Sequence, residues 1–107
     1  PDGGFYIFPD FSNYANQFQS NGIDTSEKLC VKLLNEQGVA LLPASAFGFS
    51  ESALYTRLCY VDFDGTAAIS ALEANPNIID DHISFTKEYA PSVYNGVSAI
   101  CELLKSL

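Results

Sequence analysis

The sequence predicts an α/β (α+β) domain, a two-layer sandwich in which a small mixed or antiparallel three-stranded sheet packs on helices. Its patterned segments follow the order strand, helix, strand, strand, helix, helix. The loop between the second and third strands has about ten residues, too few for a helical crossover, so those strands are expected to pair antiparallel. A chain of 107 residues has the length of one domain, and we assign residues 1–107 to it.

The first two predicted strands are short apolar runs. Residues 4–8 read Gly-Phe-Tyr-Ile-Phe, a continuous apolar run typical of a strand covered on both faces. Residues 39–42 read Val-Ala-Leu-Leu and predict a second buried strand, which Pro43 is expected to end. Between these strands, residues 11–23 are rich in Asn, Gln and Ser and are interpreted as a polar loop, either irregular throughout or with one short turn.

The third strand, residues 54–63, is the longest. Its alternation places Arg57 and Cys59 on one face and Thr56 and Leu58 on the other. The segment before it, residues 44–52, is interpreted as a loop with an unusual number of aromatic residues.

Capping signals predict the helices. A helix over residues 25–37 follows Asp24, which stands at capping-box spacing from Glu27, and Gly38 suits its C-terminal cap. Asp64 is expected to cap a second helix that residues 75–76, Asn-Pro, terminate. Residues 79–89 show a weaker helical spacing, and Pro91 is expected to open the last helix.

The composition excludes several classes of partner. Five Lys and Arg residues against 13 Asp and Glu residues give a formal net charge of −8, which disfavours nucleic acid and anionic membrane surfaces. No apolar run approaches the ~18 residues of a spanning helix. The cysteines, which form no CxxC pair, are interpreted as core residues in a reducing, cytoplasmic protein; they are Cys30, Cys59 and Cys101. Because the chain opens on Pro1 and lacks Met, we expect it to be a piece of a longer protein.

Arg57 is the only arginine and lies between apolar neighbours in the third strand. A guanidinium held out of water without a partner costs several kcal/mol, so it needs a negative partner. That partner is either one of the acidic residues of the chain or an anion from outside. The planar donors of arginine match both oxygens of a ligand carboxylate.

Other polar residues give weaker signals. His82, the only histidine, is interpreted as a solvated surface side chain, because no second histidine or nearby cysteine completes a metal site. Residues 62–65, Asp-Phe-Asp-Gly, superficially match the start of a calcium loop but lack its later ligands. The sequence contains no phosphate-binding loop and no serine-hydrolase motif, and it pairs no nucleophile with a base.

Three ordered motifs carry a family resemblance. Residues 3–10 read GGFYIFPD, residues 38–48 read GVALLPASAFG, and residues 57–60 read RLCY. Together they resemble the C-terminal small domain of class I/II (fold-type I) pyridoxal-phosphate-dependent aminotransferases. The resemblance is expected to cover nearly all of this chain but only the C-terminal part of a whole family member. One departure is Ala44, where the family usually has a glycine.

The resemblance implies a function for Arg57. It aligns with the family's arginine that binds the substrate α-carboxylate, and it implies that Phe5, Tyr6, Ser45 and Phe47 line the site. The implied cofactor is pyridoxal 5'-phosphate, and the implied substrates are an amino acid and a 2-oxo acid. The implied partners are a large domain and a second subunit, as in a homodimer.

The four lysines do not match the family's Schiff-base lysine. They lie on predicted helices and are Lys28, Lys32, Lys87 and Lys105. We therefore expect the 107 residues alone to be inactive. The alternative hypothesis is a free-standing, non-catalytic α/β module that binds a small carboxylate or a protein partner.

Overall fold

The computed structural model describes residues 2–107, and Pro1 lies outside the described residues. The strands are β1 (Tyr6–Ile7), β2 (Leu42–Pro43) and β3 (Thr56–Cys59). The helices are α1 (Ala15–Ser20), α2 (Ser26–Gln37), α3 (Gly65–Ala74), α4 (His82–Tyr89) and α5 (Pro91–Ser106). Short 3-10 turns occupy Ser12–Tyr14, Ala44–Phe47 and Pro76–Asp80.

The sheet is antiparallel, with β3 between β1 and β2. Tyr6 is paired with Cys59 across β1 and β3, and Leu42 is paired with Arg57 across β2 and β3. Side chains alternate along β3 as predicted, with Thr56 and Leu58 buried on the inner face. The predicted fold class and the antiparallel pairing of the second and third strands are confirmed.

The core lies between the inner face of the sheet and helices α2 and α5. Its buried side chains are Phe11, Phe18, Ile23, Leu29, Leu33, Leu54, Leu58, Ile100 and Leu103. Both helices contribute two of these side chains, so the second layer of the domain is α2 packed beside α5.

The prediction of a polar loop over residues 11–23 was wrong. This segment contains a 3-10 turn and α1, and Phe18 is completely buried. Phe11, Ala15 and Phe18 recur at helical spacing and pack in or against the core. Most of the remaining positions face solvent and carry polar residues. These polar residues concealed the apolar spacing in the sequence.

Helix α2 confirms the predicted helix within one residue. Its cap is Thr25, whose side chain accepts the backbone N–H of Lys28 at 3.2 Å. Asp24, the predicted cap, instead pairs with the Lys28 ammonium at 2.7 Å. Gly38 ends the helix in the left-handed conformation, with φ of 67°, as expected.

The strands are shorter than predicted. Strand β2 ends at Pro43 as predicted, with Pro43 as its last residue, but it begins only at Leu42. The N–H of the next residue, Ala44, donates to the carbonyl of Tyr55, so the nitrogen of Pro43 points away from β3. Proline is tolerated at such an edge position because no ladder hydrogen bond is lost.

Strand β1 is not covered on both faces, and that prediction was wrong. Phe5 is 65% exposed and Tyr6 is 47% exposed. Among residues 2–107, no helix packs on the outer face of the sheet, and α2 and α5 contribute to the core on the inner face. The aromatic residues of β1 therefore contact neighbouring side chains on an open surface.

Three signals at helix ends are confirmed. Asp64 caps α3 by accepting the N–H of Ala67 at 3.1 Å, and α3 ends just before Asn75 and Pro76. Pro91 opens α5. Helices α3 and α4 pack on each other and on the Pro76–Asp80 turn, and α4 also packs on α5.

The molecule is extended for its length. Its radius of gyration is 15.8 Å, whereas a compact domain of this size has about 13 Å. Its accessible surface is 6836 Å², against about 5,800 Å² expected for its mass. The α3–α4 region accounts for part of this surface, since Ile69 and Ile83 are mostly exposed.

The cysteine prediction holds for one of three residues. Cys30 is buried in α2, and its burial, together with nearby Glu27, raises the pKa of its thiol to about 11. Cys59 and Cys101 are exposed, so their assignment to the core was wrong. Cys59 lies on the outer face of the sheet, and Cys101 is the exposed neighbour of the buried Ile100. Within residues 2–107, no helix has both the length and the apolar character needed to cross a lipid bilayer.

Candidate functional site

The outer face of the sheet holds the candidate site. Arg57 and Cys59 project from β3 on the side that α2 and α5 leave open. Their cross-strand partners on this face are Leu42 and Tyr6, which are 45% and 47% exposed. Arg57 therefore stands on the central strand of an open, largely apolar face.

Two aromatic rings contact the guanidinium of Arg57. Its central carbon lies 4.3 Å from the centre of the Tyr6 ring and 4.6 Å from the centre of the Phe47 ring. Tyr6 comes from β1 and Phe47 from the turn after β2, which are the strands on opposite sides of β3. Both distances are within the range of cation–π attraction.

Arg57 has no acidic partner in the part of the chain that the structure describes. The ion pairs among those residues all involve lysines and are Lys28–Asp24, Lys32–Glu36 and Lys105–Glu102. The internal salt bridge that the sequence left open for Arg57 is thus absent from residues 2–107. Its nitrogens are not among the fully buried polar atoms that lack a partner, so solvent reaches them.

An aromatic cluster adjoins Arg57. We use this name for Phe8, Phe47, Phe49 and Tyr55. The ring centre of Phe8 lies 5.3 Å from that of Phe49, 6.1 Å from that of Tyr55 and 6.2 Å from that of Phe47. The three phenylalanines remain 38–48% exposed. Because Phe47 also contacts the guanidinium, the cluster forms an apolar wall beside the only arginine.

The turn over residues 44–47 positions Phe47. Ala44 is fully buried, and its carbonyl accepts the N–H of Phe49 at 3.3 Å. Gly48 ends the turn with φ of 86°, a conformation that favours glycine. No non-glycine residue of the described chain has a positive φ, so an alanine at position 44 introduces no backbone strain.

The predicted wall residues are placed unequally. Tyr6 and Phe47 contact the guanidinium. Phe5 packs edge-on against Tyr6, with 6.3 Å between ring centres, and is itself largely exposed. Ser45 lies half-buried in the turn that carries Phe47. Sequence reasoning did not identify Phe8, Phe49 and Tyr55, although their aromatic character was the available signal.

The lysines lie on helices, away from Arg57. Lys28 and Lys32 project from α2 and Lys105 from α5, and each pairs with an acidic residue of its own helix or of the adjoining turn. Lys87 of α4 lies over the ring of Tyr94, at 4.9 Å from its centre. The described residues therefore place no lysine on the outer face of the sheet.

The residues considered for metal binding have structural contacts instead. His82 is exposed at the start of α4, and Asp64 caps α3. Asp81 caps α4, and hydrogen bonds from the backbone N–H and hydroxyl of Ser84 lower the pKa of its carboxyl. Among residues 2–107, no three His, Cys, Asp or Glu side chains are grouped closely enough to hold a metal ion.

A groove of about 400 Å³ lies apart from the Arg57 contacts. It separates residues 38–41 from the first turns of α5, and Val39, Leu58 and Val93 are among its lining residues. Arg57 does not line it. The candidate site is therefore the open face of the sheet and not an enclosed pocket.

Comparison with known proteins finds aminotransferases. The chain is 48% identical over 50 residues to an aspartate aminotransferase of Pinus pinaster, a match covering 45% of this chain and 10% of the relative. It is 52% identical over 48 residues to a probable aspartate/prephenate aminotransferase of Aquifex aeolicus, a match covering 45% of this chain and 11% of that relative. It is 46% identical over 52 residues to a bifunctional aspartate aminotransferase and glutamate/aspartate-prephenate aminotransferase of Petunia hybrida, covering 45% and 10%.

The extent of these matches is limited. The matched segment spans about a tenth of each relative and less than half of this chain. No protein-family model matches the chain, and no solved structure matches it significantly. The resemblance predicted from the three motifs is confirmed, over a shorter stretch than the motifs suggested.

Proposed function

We propose that this chain, similar in sequence to aminotransferases, is the C-terminal domain of a pyridoxal-phosphate-dependent aminotransferase and binds the substrate carboxylate through Arg57. The observation that carries the proposal is the unpaired guanidinium on the open face of the sheet. The substrates would be an amino acid and a 2-oxo acid, which share the α-carboxylate that Arg57 would bind. The similarity to three proteins named as aminotransferases supports this class of reaction.

The chemistry of Arg57 suits this role. Two parallel N–H···O bonds from one guanidinium fix both oxygens of a carboxylate and thereby the direction of the bond to Cα. The neighbouring Leu42 side chain and the aromatic cluster reduce the water around these bonds, which strengthens them. Arg57 would thus both bind and orient the substrate.

The cofactor requires residues that this chain does not supply. Pyridoxal phosphate, when bound, accepts electrons from the substrate and needs a lysine to hold it as a Schiff base. The lysines of this chain lie on helices in other contacts, so they do not fit that role. In the proposal, a large domain supplies the lysine, the whole protein forms a homodimer, and the 107 residues alone are inactive.

Substitution of Arg57 in the full-length enzyme tests the proposal. Each hydrogen bond to a charged group contributes about 1.5–3 kcal/mol, so Arg57→Ala should raise the KM for both substrates on the order of 100-fold or more. Lys105→Ala removes a cation from a surface ion pair and serves as the control. An unchanged KM in Arg57→Ala would overturn the assigned role.

The alternative is a free-standing module that binds a carboxylate without catalysis. The same guanidinium favours it, because binding a carboxylate at Arg57 requires no residue beyond this chain. The intact mass in the source cell separates the two proposals. A mass several times 11.6 kDa supports the aminotransferase, and a mass near 11.6 kDa supports the module.

A further inference from the structure

We propose that Tyr6 and Phe47 are positioning residues that restrict the ligand of Arg57 to a planar anion approaching in the plane of the guanidinium. This inference rests on the proposed function, because it takes the ligand to be a carboxylate bound at Arg57. The inference explains how Arg57 would bind a carboxylate more tightly than a tetrahedral anion of equal charge.

The two ring contacts limit the direction from which an anion can approach the guanidinium of Arg57. A guanidinium is flat, and its donors all lie in its plane. The Tyr6 and Phe47 rings lie over its carbon at 4.3 Å and 4.6 Å and come from opposite sides of β3. In the proposal, one ring covers each flat face of the guanidinium, which leaves the in-plane N–H groups for a ligand.

Separate elements hold the two rings in place. Tyr6 is in the β1–β3 ladder, and the hydroxyl of Tyr60 anchors the preceding segment by donating to the carbonyl of Gly3 at 2.9 Å. Phe47 is carried by the turn that buries Ala44, and it packs edge-on against Phe8 with 6.2 Å between ring centres. The guanidinium is thus oriented before any ligand arrives.

Ligand shape then decides which anion fits. A carboxylate has both oxygens in one plane and can meet the in-plane donors without contacting the rings. A sulfonate bound by one oxygen pair directs its third oxygen out of that plane, toward one of the rings. The face of an aromatic ring carries partial negative charge, so that oxygen is repelled there.

The rings contribute little to the core. Tyr6 and Phe47 are 47% and 41% exposed and are not members of the core cluster. Their substitution should therefore leave the fold intact. A change in anion binding in such a variant would then reflect the positions of the rings and not a loss of folding.

The experiment uses the 107-residue chain and two monoanions, acetate and methanesulfonate, at constant ionic strength. Binding is followed by NMR through the shift of the Arg57 Nε–H resonance in the parent chain and in Tyr6→Leu and Phe47→Leu. Tyr6→Phe and Phe47→Tyr keep the rings and serve as matched controls. Urea unfolding checks that each variant folds.

We expect the parent chain and the ring-keeping controls to prefer acetate. Each leucine variant should reduce the ratio of acetate to methanesulfonate affinity by about twofold or more, because a ring face that repels the third sulfonate oxygen is removed. If acetate binds but the ratio is the same in the leucine variants, the inference is overturned while carboxylate binding stands. If acetate does not move the Arg57 resonance in the parent chain, both the inference and the proposed role of Arg57 fail. Should a leucine variant not fold, the ratio in the other leucine variant decides.

Discussion

The hydroxyl of Tyr60 donates to the backbone carbonyl of Gly3 at 2.9 Å, joining two residues that are 57 positions apart in the chain. It also lies 3.0 Å from the carbonyl of Gly4, so a single proton is shared between two acceptors. The N–H of Tyr60 donates to the carbonyl of Phe5. These contacts attach the segment before β1 to the residue that follows β3, and so they help to fix Tyr6 over Arg57.

Replacing Tyr60 with phenylalanine should loosen this attachment without disturbing the core. A hydrogen bond of this kind contributes about 1 kcal/mol, so hydrogen exchange of the Ile7 amide, which lies in the β1–β3 ladder, should accelerate up to about fivefold. Tyr14→Phe is the matched control, because its hydroxyl makes no hydrogen bond among the described residues. Exchange as slow as in the parent chain would show that the hydroxyl does not hold the segment.

Phe18→Ala should destabilise the protein severely. Phe18 is completely buried in the core, and truncating such a ring costs about 3–5 kcal/mol. That loss is a large share of the stability of a small domain, so the variant should unfold at a much lower urea concentration. Ile69→Ala, at a residue 58% exposed, should leave the urea midpoint almost unchanged. Similar midpoints for both variants would contradict the position of α1 in the core.

The cysteines should react with iodoacetamide in a defined order. With a thiol pKa of about 11, Cys30 is about one part in a thousand thiolate at pH 8, and its burial also limits access. Cys59 and Cys101 are exposed and should be alkylated first. Mass spectrometry of peptides identifies the labelled sites. Labelling of Cys30 at the rate of Cys101 would place α2 in a more open position than the structure shows.

Acid should weaken the N-terminal cap of α4. Hydrogen bonds from Ser84 lower the pKa of the Asp81 carboxyl in the folded protein below its usual value of 3.8. The stabilisation it gives is therefore complete above pH 3.8 and is lost as the pH falls through the lowered folded value. Asp81→Asn keeps an acceptor for the cap but does not titrate, so its urea midpoint should fall less between pH 6 and pH 3.

The role of Asp81 is decided by comparing how far the urea midpoint falls between pH 6 and pH 3 in the parent chain and in Asp81→Asn. Asp10 and Asp24 also have lowered pKa values, through hydrogen bonds from Ser12 and Lys28, and they contribute equally in both proteins. Equal falls in the urea midpoint for the parent chain and Asp81→Asn would exclude the cap as a source of acid sensitivity.

Local signals predicted the parts of the fold that depend on neighbouring residues. The helix end at Gly38, the cap at Asp64 and the helix start at Pro91 all follow from interactions within one turn, and all three are confirmed. The α1 helix was missed because only Phe11, Ala15 and Phe18 carry its apolar spacing, within a strongly polar segment.

The candidate site could be predicted only in part. Arg57 was chosen as a candidate because a lone arginine in an apolar strand was expected to need a negative partner, and the structure instead places its guanidinium against two rings within reach of solvent. Its contacts with Tyr6 and Phe47 depend on the register of three strands that are distant in sequence. The exposure of Cys59 likewise follows from which sheet face the helices cover, and alternation along one strand cannot decide that.

Helix α3 packs on α4 and on the Pro76–Asp80 turn, and α4 packs on α5, which in turn packs on α2. Residues 75–88, which match no motif of the aminotransferases, lie within this region. Since the region shares no side chain with the described contacts of Arg57, changes in its length or sequence should leave Tyr6 and Phe47 in place beside the guanidinium. The α3–α4 region is thus structurally independent of the outer face of the sheet.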